Sequence, residues 1–190
     1  MKKLKTIYLT ALAASVMLFA FTPKTAKTLE QVFAQKWTTK SYSEPKIQVE
    51  TPKELVKANV SIPEKTKESV EKMSAYQYDE DDLMIIVSTL AYKKGTAANL
   101  KGAAAGALYE MQTRGGIDEF SYVNKDTVVS GINSILQRGT FKKGNDKIDF
   151  NNLITAKENN IWQVMVAYRS GDVYGGKIRD KVMKSVKIQQ

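Results

Sequence analysis

The 190-residue sequence contains neither cysteine nor histidine. Without cysteine there is no disulfide and no thiolate nucleophile, so the fold must be stable on its hydrophobic core alone. Without histidine the commonest general base near neutral pH is missing, together with imidazole zinc sites and serine–histidine nucleophile pairs. Paired carboxylates are therefore the acid–base chemistry that this composition leaves.

A long hydrophobic run is also missing. Three lysines within the first five residues precede an uncharged segment from Ile7 to Phe21, whereas a transmembrane helix needs about 20 apolar residues. A basic start and a short apolar stretch are typical of a secretory signal peptide. We expect residues 1–34 to be removed after Ala34, with Ala20 as the second possible cleavage site. The product would be secreted or periplasmic and would keep no membrane span.

Positive charge is not concentrated in one part of the mature sequence. The formal net charge of +9 falls to +5 when residues 1–34 are removed, because 24 basic and 19 acidic residues remain. Lysines and acids are interspersed, as in "PEKTKESVEKM", whereas a nucleic-acid footprint would be one-sided. We expect residues 35–190 to form a single globular domain that binds no nucleic acid. No motif for a cofactor is present, so none is expected.

Hydrophobic periodicity predicts an α+β order of elements. Ile47 and Val49 alternate in a short strand that ends at Pro52. Residues 61–73 carry Val70 and Met73 at helical spacing and predict an exposed helix. Later patterns predict a hairpin and three strands of an antiparallel meander, over 74–95, 132–141, 147–156 and 161–168. A terminal helix before the closing "SVKI" completes the order, with both helices expected to cover the sheet.

The glycine- and alanine-rich segment after residue 98 predicts a long helix. An apolar stripe runs along it, and Thr96 is placed to cap its N-terminus. Gly102 and Gly106 leave one flank without side chains, although each interior glycine costs about 1 kcal/mol relative to alanine. Charged residues in the segment exclude a membrane dimerisation motif, and glycines within a helix do not form a phosphate-binding loop. We therefore expect Gly102 and Gly106 to pack closely against the sheet.

Two further residues have predicted structural roles. Asp172 precedes the apolar stripe of the terminal helix and is expected to be its N-cap. Trp162 alternates with valines along a strand and is expected in the core rather than at a ligand site.

The candidate binding residues lie at the acidic turn of the first hairpin. Tyr76 and Tyr78 precede Asp79 and Asp81, and this combination suggests an exposed contact surface. Carboxylates could also bind a hard cation, but the run lacks the alternating spacing and central glycine of a calcium loop. The sequence thus favours a solvated turn and predicts no metal site.

A cluster of carboxylates near the end of the long helix keeps an enzymatic alternative open. Glu110, Asp118 and Glu119 are close in sequence, and two acids facing one cleft could support hydrolysis. Surface and capping roles are commoner for such residues, so we predict no catalytic residue.

Four sequence stretches, taken in order, resemble bacterial members of the PsbP-like superfamily. After the signal peptide these are "VETPKEL", "GTFKKGNDKIDF", "NIWQVMVAY" and "DVYGGKIRDKVMKSVKI", and the resemblance is strongest over residues 117–188. It implies an α/β/α sandwich around a central antiparallel sheet of about six strands, with the long and terminal helices on opposite faces. Members of this fold are accessory and binding proteins, such as a photosystem extrinsic subunit, and many bacterial members are secreted proteins of unassigned role. The superfamily has no catalytic signature to transfer.

The function that we expect is that of a secreted, non-enzymatic accessory or binding protein. Its partner would be an unknown protein or envelope component, bound at the sheet edge or at the loops around Tyr76. A small extracytoplasmic hydrolase that uses paired carboxylates is the alternative, and adhesion to anionic cell-surface polymers is a third possibility.

Overall fold

The computed structural model describes residues 37–42, 44–60, 62, 64–80, 82–113 and 116–189. The predicted signal peptide with its cleavage sites, and Asp81, lie outside the described residues. The helices of the described part are α1 (Glu64–Lys67), α2 (Leu100–Thr113) and α3 (Val173–Ser185). Its strands are β1 (Thr38–Tyr42), β2 (Ile47–Thr51), β3 (Val56–Ala58), β4 (Val70–Glu80), β5 (Leu83–Tyr92), β6 (Ile117–Val129), β7 (Ile132–Lys143), β8 (Asp146–Lys157), β9 (Asn160–Arg169) and β10 (Lys187–Ile188).

The central layer is a seven-stranded antiparallel sheet in the order β3-β4-β5-β9-β8-β7-β6. Helix α2 packs on one face against β6, β7 and β8, and α3 packs on the other face against β9. A second, three-stranded sheet in the order β1-β2-β10 also lies on the α3 side. The α/β/α sandwich is therefore confirmed, with seven strands in the central sheet rather than about six.

The hydrophobic core lies on both faces of the central sheet. On the α3 face, Ile178 and Val182 pack with Val164, Val166 and the second sheet in one large cluster. On the α2 face, the alanines and leucine of the helix pack against two separate clusters. Because β5 and β9 are covered on both faces, almost every side chain of these strands is buried, as the continuous apolar run of the hairpin predicts.

The predicted helix over 61–73 is wrong. Among the described residues of this segment, the helical ones are the four of α1, and β4 begins at Val70. A β-bulge between Val70 and Lys72 inserts one extra residue into β4. The bulge places Val70 and Met73 on the same face of the sheet, opposite Tyr92 and Leu90. A spacing of three residues, typical of a helical stripe, here results from an interrupted strand.

The start of α2 differs from the prediction in its capping residue. The Gly102 amide donates a hydrogen bond to Asn99 Oδ1 at 3.0 Å, so Asn99 rather than Thr96 caps the helix. A Cβ atom at Gly102 would lie 2.9 Å from Asn99 Nδ2, and its nearest neighbours are atoms of that cap, not of the sheet. Gly106 is buried, whereas Ala105 is exposed. The expected contact of Gly102 with the sheet is therefore wrong, because its open flank belongs to the helix cap.

The N-terminus of α3 is fixed by Asp172. Its carboxylate accepts hydrogen bonds from the amides of Tyr174 at 2.8 Å and Gly175 at 3.1 Å. Trp162 is buried between the two sheets, and its Nε1 donates to the Pro45 carbonyl at 3.2 Å. These two contacts position α3 and the second sheet on the same face of the central sheet.

Candidate binding surface

Strand β4 places Tyr76 and Tyr78 on the α3 face of the sheet. The Tyr76 and Tyr42 rings are 5.0 Å apart between centroids, and Lys53 Nζ lies 5.7 Å from the centroid of the Tyr78 ring. Both tyrosines are half-buried and pack against the core cluster of that face. Their rings therefore join the second sheet to the first, which leaves little of either ring to form an exposed contact surface.

Asp79 lies on the opposite face from the two tyrosines, because side chains alternate along a strand. It pairs in register with Met84, which belongs to a buried cluster under α2. Burial raises the pKa of Asp79, and the charge of Lys143 opposes that shift. Burial also lowers the pKa of Lys143, with Asp79 acting against the shift. The described members of the predicted set are therefore split between two faces, with Tyr76 and Tyr78 on one and Asp79 on the other.

Replacing Asp79 with asparagine is expected to raise the melting temperature at about pH 7. A carboxyl with a raised folded-state pKa stabilises the protein below its unfolded pKa and loses that contribution as the pH rises through the folded pKa. Ionised Asp79 is thus destabilising near neutrality, and the variant removes that charge. Thermal unfolding at about pH 7 and about pH 3 checks the prediction, since the difference should disappear at the lower pH. Asp118→Asn, at an exposed position, is the control; an equal gain from it would contradict the role of burial.

The acidic turn is held by a cation of the same chain. Arg169 Nη2 contacts Asp82 Oδ1 at 3.2 Å and Asp146 Oδ1 at 3.4 Å. The Arg169 amide also donates to the Asp82 carbonyl at 3.2 Å. Among the described residues no group of three or more acidic side chains is arranged to hold a metal ion. In the described part of this turn, Arg169 thus forms ion pairs with Asp82 and Asp146.

The carboxylates of the hydrolase alternative do not face a common cleft. Asp118 and Glu119 are exposed on β6, and Glu119 pairs with Lys142. Glu110 is only half-buried on α2. Within the described ranges, these three acids lack the enclosed geometry in which one carboxyl is held protonated beside an ionised one. The described residues give the hydrolase alternative no support.

The feature that sequence patterns missed is strand β6. It forms one edge of the central sheet and is paired only with β7 among the described strands. Most of its side chains are exposed, and three are large apolar groups: Tyr122 is 48% exposed, Val123 66% and Val128 62%. Side chains on both faces of β6 are exposed to solvent along much of its length. The sequence therefore lacks the alternation of apolar and polar residues by which a strand is predicted. Its one sequence signal is the Ser130–Gly131 pair, which is typical of a hairpin turn.

The turn after β6 determines which backbone groups face the open edge. Ser130 and Gly131 have φ of 51° and 78°, and positive values at both positions are those of a type I′ turn. In such a two-residue hairpin the flanking residues, Val129 and Ile132, form a hydrogen-bonded pair. Along the two strands, hydrogen-bonded pairs then alternate with pairs that share no hydrogen bond. The odd-numbered residues of β6 therefore bond to β7. The even-numbered residues from Tyr122 to Val128 direct their N–H and C=O groups outward.

A chain of side-chain hydrogen bonds crosses the α2 face of the sheet and ends at this edge. Ser88 donates to Gln163, which donates to Asn152, which donates to Gln137, at 3.2, 2.8 and 2.9 Å. Gln137 Nε2 then donates to the Ala104 carbonyl of α2 at 3.0 Å and to Asn124 Oδ1 on β6 at 3.2 Å. These buried amides separate the two apolar clusters under α2 and fix the register of five strands.

The arrangement defines a class: a central antiparallel sheet between two helices, extended by a small second sheet, with one long strand exposed at its edge. This is a PsbP-like fold. The chain is similar to cyanobacterial PsbP (CyanoP) from Synechocystis sp. PCC 6803, with a TM-score of 0.52 and 11% identity over 82% of this chain and 94% of that chain. It is also similar to LpqN of Mycobacterium tuberculosis, described as involved in cell envelope biogenesis, with a TM-score of 0.50 and 11% identity over 86% of this chain and 98% of that one.

At this level of identity the comparisons establish the fold alone. No family model matches the sequence, and no curated protein matches it significantly. None of the helices in the described part of the chain is long and apolar enough to span a membrane. The functional assignment therefore depends on the surface of this molecule.

Proposed function

We propose that this protein is a non-enzymatic accessory protein that acts outside the cytoplasm and binds an extended segment of its partner along the open edge of β6. The observation that carries the proposal is the exposure of that edge over most of a 13-residue strand. Its outward N–H and C=O groups can hydrogen-bond an added strand, and Tyr122, Val123 and Val128 can bury apolar surface against that strand.

Three further observations support this assignment. The basic and apolar start of the sequence is that of an export signal. Two structures with the same fold are a protein described as involved in cell envelope biogenesis and a cyanobacterial PsbP protein. The acidic residues considered for hydrolysis are exposed or half-buried and unclustered. A binding role can be carried by an exposed edge strand such as β6, whereas an enzyme needs a cleft with converging side chains.

A photo-crosslinking residue tests the proposed surface. Placed at Val128, it is expected to give covalent adducts in cells that make the protein. The matched control is Val56, which is 71% exposed on β3 at the other edge of the same sheet. Adducts at Val128 but not at Val56, analysed by gel mobility and mass spectrometry, would support binding at β6. Equal yields at the two positions, or none at Val128, would contradict it.

A further inference from the structure

We propose that the free edge of β6 pairs, antiparallel, with β6 of a second copy of this chain, about a two-fold axis at Asn124. This inference rests on the proposed use of the β6 edge and names the partner that occupies it. Such a dimer joins two seven-stranded sheets into one continuous sheet. A symmetric interface must be self-complementary, because the same strand supplies both sides.

The outward backbone groups allow this pairing in several registers. In an antiparallel strand pair related by a two-fold axis, the residue on the axis lies opposite its own copy. The residue before it then lies opposite the residue after it in the second copy. Tyr122, Asn124, Asp126 and Val128 direct their backbone groups outward, so each even-numbered residue can take part in a hydrogen-bonded pair with an even-numbered residue of the second copy. The backbone alone therefore permits the two-fold axis to lie at any of several positions.

Charge selects among these registers. The regular part of β6 runs from Ser121 to Val129, and the longest overlap has the axis at Lys125. That register opposes two lysines directly, and an axis at Asp126 opposes two aspartates; both arrangements are unfavourable for directly opposite residues. An axis at Asn124 keeps seven regular residues paired in each strand and opposes no like charges.

The pairs formed about Asn124 are mutually compatible. Hydroxyl–hydroxyl pairs are among the favourable cross-strand pairs, and the alkyl part of a lysine side chain can cover apolar surface. With one member from each copy, the pairs are Ser121 with Thr127, Tyr122 with Asp126, Val123 with Lys125, and Asn124 with Asn124. The exposed Tyr122 and Val123 would both be covered by the second strand.

The buried hydrogen-bond chain provides an independent reason for this position of the axis. It links residues of five strands, runs from Ser88 in one donor-to-acceptor direction and ends at Asn124 Oδ1. The Asn124 side-chain amide has two N–H donors besides the Oδ1 acceptor that Gln137 uses. With two copies paired at Asn124, the two side-chain amides meet and the two chains of hydrogen bonds form one network.

Sedimentation equilibrium of the purified protein, combined with charge variants at one position, tests the dimer and its register. Val123 lies opposite Lys125 of the second copy, so Val123→Glu creates two ion pairs and Val123→Lys creates two like-charge pairs. We expect the dimer dissociation constant to fall about three- to tenfold for the first variant and to rise about as much for the second. The same substitutions at Val56 are the controls, and we expect neither to change the constant.

An edge proline gives a second test. Asp126→Pro removes an outward N–H that β7 does not use, and proline is tolerated on the open side of an edge strand. We expect this variant to keep its thermal unfolding transition and to sediment as a monomer. The proposal is overturned if the unaltered protein is monomeric up to millimolar concentration. It is also overturned if both charge variants at Val123 weaken the dimer, because that result would place the axis at Val123.

The outcomes separate this inference from the proposed function. A monomeric pure protein that cross-links through Val128 to a different protein would overturn self-pairing and support the accessory role. A dimer with the expected charge dependence, whose Val128 adducts contain only this chain, would support self-pairing and contradict a different partner at the edge.

Discussion

Replacing Gly139 with alanine is expected to lower the free energy of unfolding by about 3 kcal/mol, at the upper end of the usual cost of overpacking. Gly139 lies on β7 between Tyr122 of β6 and Phe150 of β8. A Cβ atom there would lie 2.7 Å from Phe150 Cε1 and would also collide with the Ser121 carbonyl oxygen. One of these neighbours is backbone, so rotation of a side chain cannot relieve the contact.

The Phe150 ring is also held in place by other aromatic rings. It stacks on Phe120 at a centroid distance of 5.6 Å and an interplanar angle of 15°, and contacts Phe141 at 6.1 Å. These rings fill the space that a side chain at position 139 would otherwise occupy. Movement of Phe150 would therefore disturb the whole cluster under the C-terminal half of α2, where packing is dense.

Urea denaturation measures the effect of this substitution. The midpoint is expected to fall for Gly139→Ala while the m value stays unchanged, which is the signature of a loss of stability alone. Arg138→Ala is the matched control, because Arg138 is the exposed neighbour on the other face. We expect that control to change stability by less than about 0.5 kcal/mol. Equal midpoints for the two variants would show that the site can expand.

The elements with local periodicity could be predicted from the sequence. Strands β7, β8 and β9 are confirmed because each is a short segment rich in apolar residues and is bounded by turn residues or a helix cap. The end of β2 at Thr51, before Pro52, is confirmed for the same kind of local reason. Asp172 acts within three residues of its own position, so its capping role is also readable from sequence.

Features that depend on distant pairing could not be predicted. The bulge in β4 is visible only once Val70 is aligned with Tyr92, twenty-two residues later. Strand β6 lies at the edge because β5 pairs with β9, although α2 and the strands β6 to β8 lie between them in the sequence. The local sequence pattern alone is ambiguous, since apolar residues three positions apart fit both a helix and a bulged strand.

The candidate binding surface was predicted only in outline. The sequence predicts contact at a sheet edge or at the loops around Tyr76, and among the described strands β6 is an open edge. Alternation along β4 turns Tyr76 and Tyr78 to one face and Asp79 to the other, and the two rings pack under the second sheet. The edge that the structure leaves open carries no unusual motif, because exposure is decided by strand order and not by composition.

Which glycines are closely packed also could not be predicted from the local sequence. A Cβ atom at Gly102, which was expected to pack on the sheet, would have the helix cap as its nearest neighbour, whereas Gly106 is buried. Close approaches that no local pattern predicts occur at Gly139 and Gly175, where the fold brings in the neighbouring residue. Gly175 gives the second prediction with a large effect.

Replacing Gly175 with alanine is expected to destabilise the protein by about 2 kcal/mol, although alanine is the better helix former by about 1 kcal/mol. A Cβ atom at Gly175 would lie 2.6 Å from the Cβ, Cγ and Cδ2 atoms of Tyr168. Rotation of the ring cannot relieve the contact, because Tyr168 Cβ itself is one of the three atoms. Tyr168 Oη also accepts a hydrogen bond at 3.0 Å from Arg179 Nη1, one turn further along α3. The helix would have to lift from β9 and take Ile178 and Val182 with it.

Gly176 provides the matched control, because it is the next residue of the same helix. A Cβ atom at Gly176 meets only Tyr168 Oη, at 3.9 Å, which is ordinary van der Waals contact. Gly176→Ala is therefore expected to stabilise the protein by about 0.5–1 kcal/mol through helix propensity alone. Two substitutions of the same chemistry at adjacent positions should shift the urea midpoint in opposite directions. A shift in the same direction for both would mean that α3 is not seated on Tyr168 as closely as the packing at Gly175 requires.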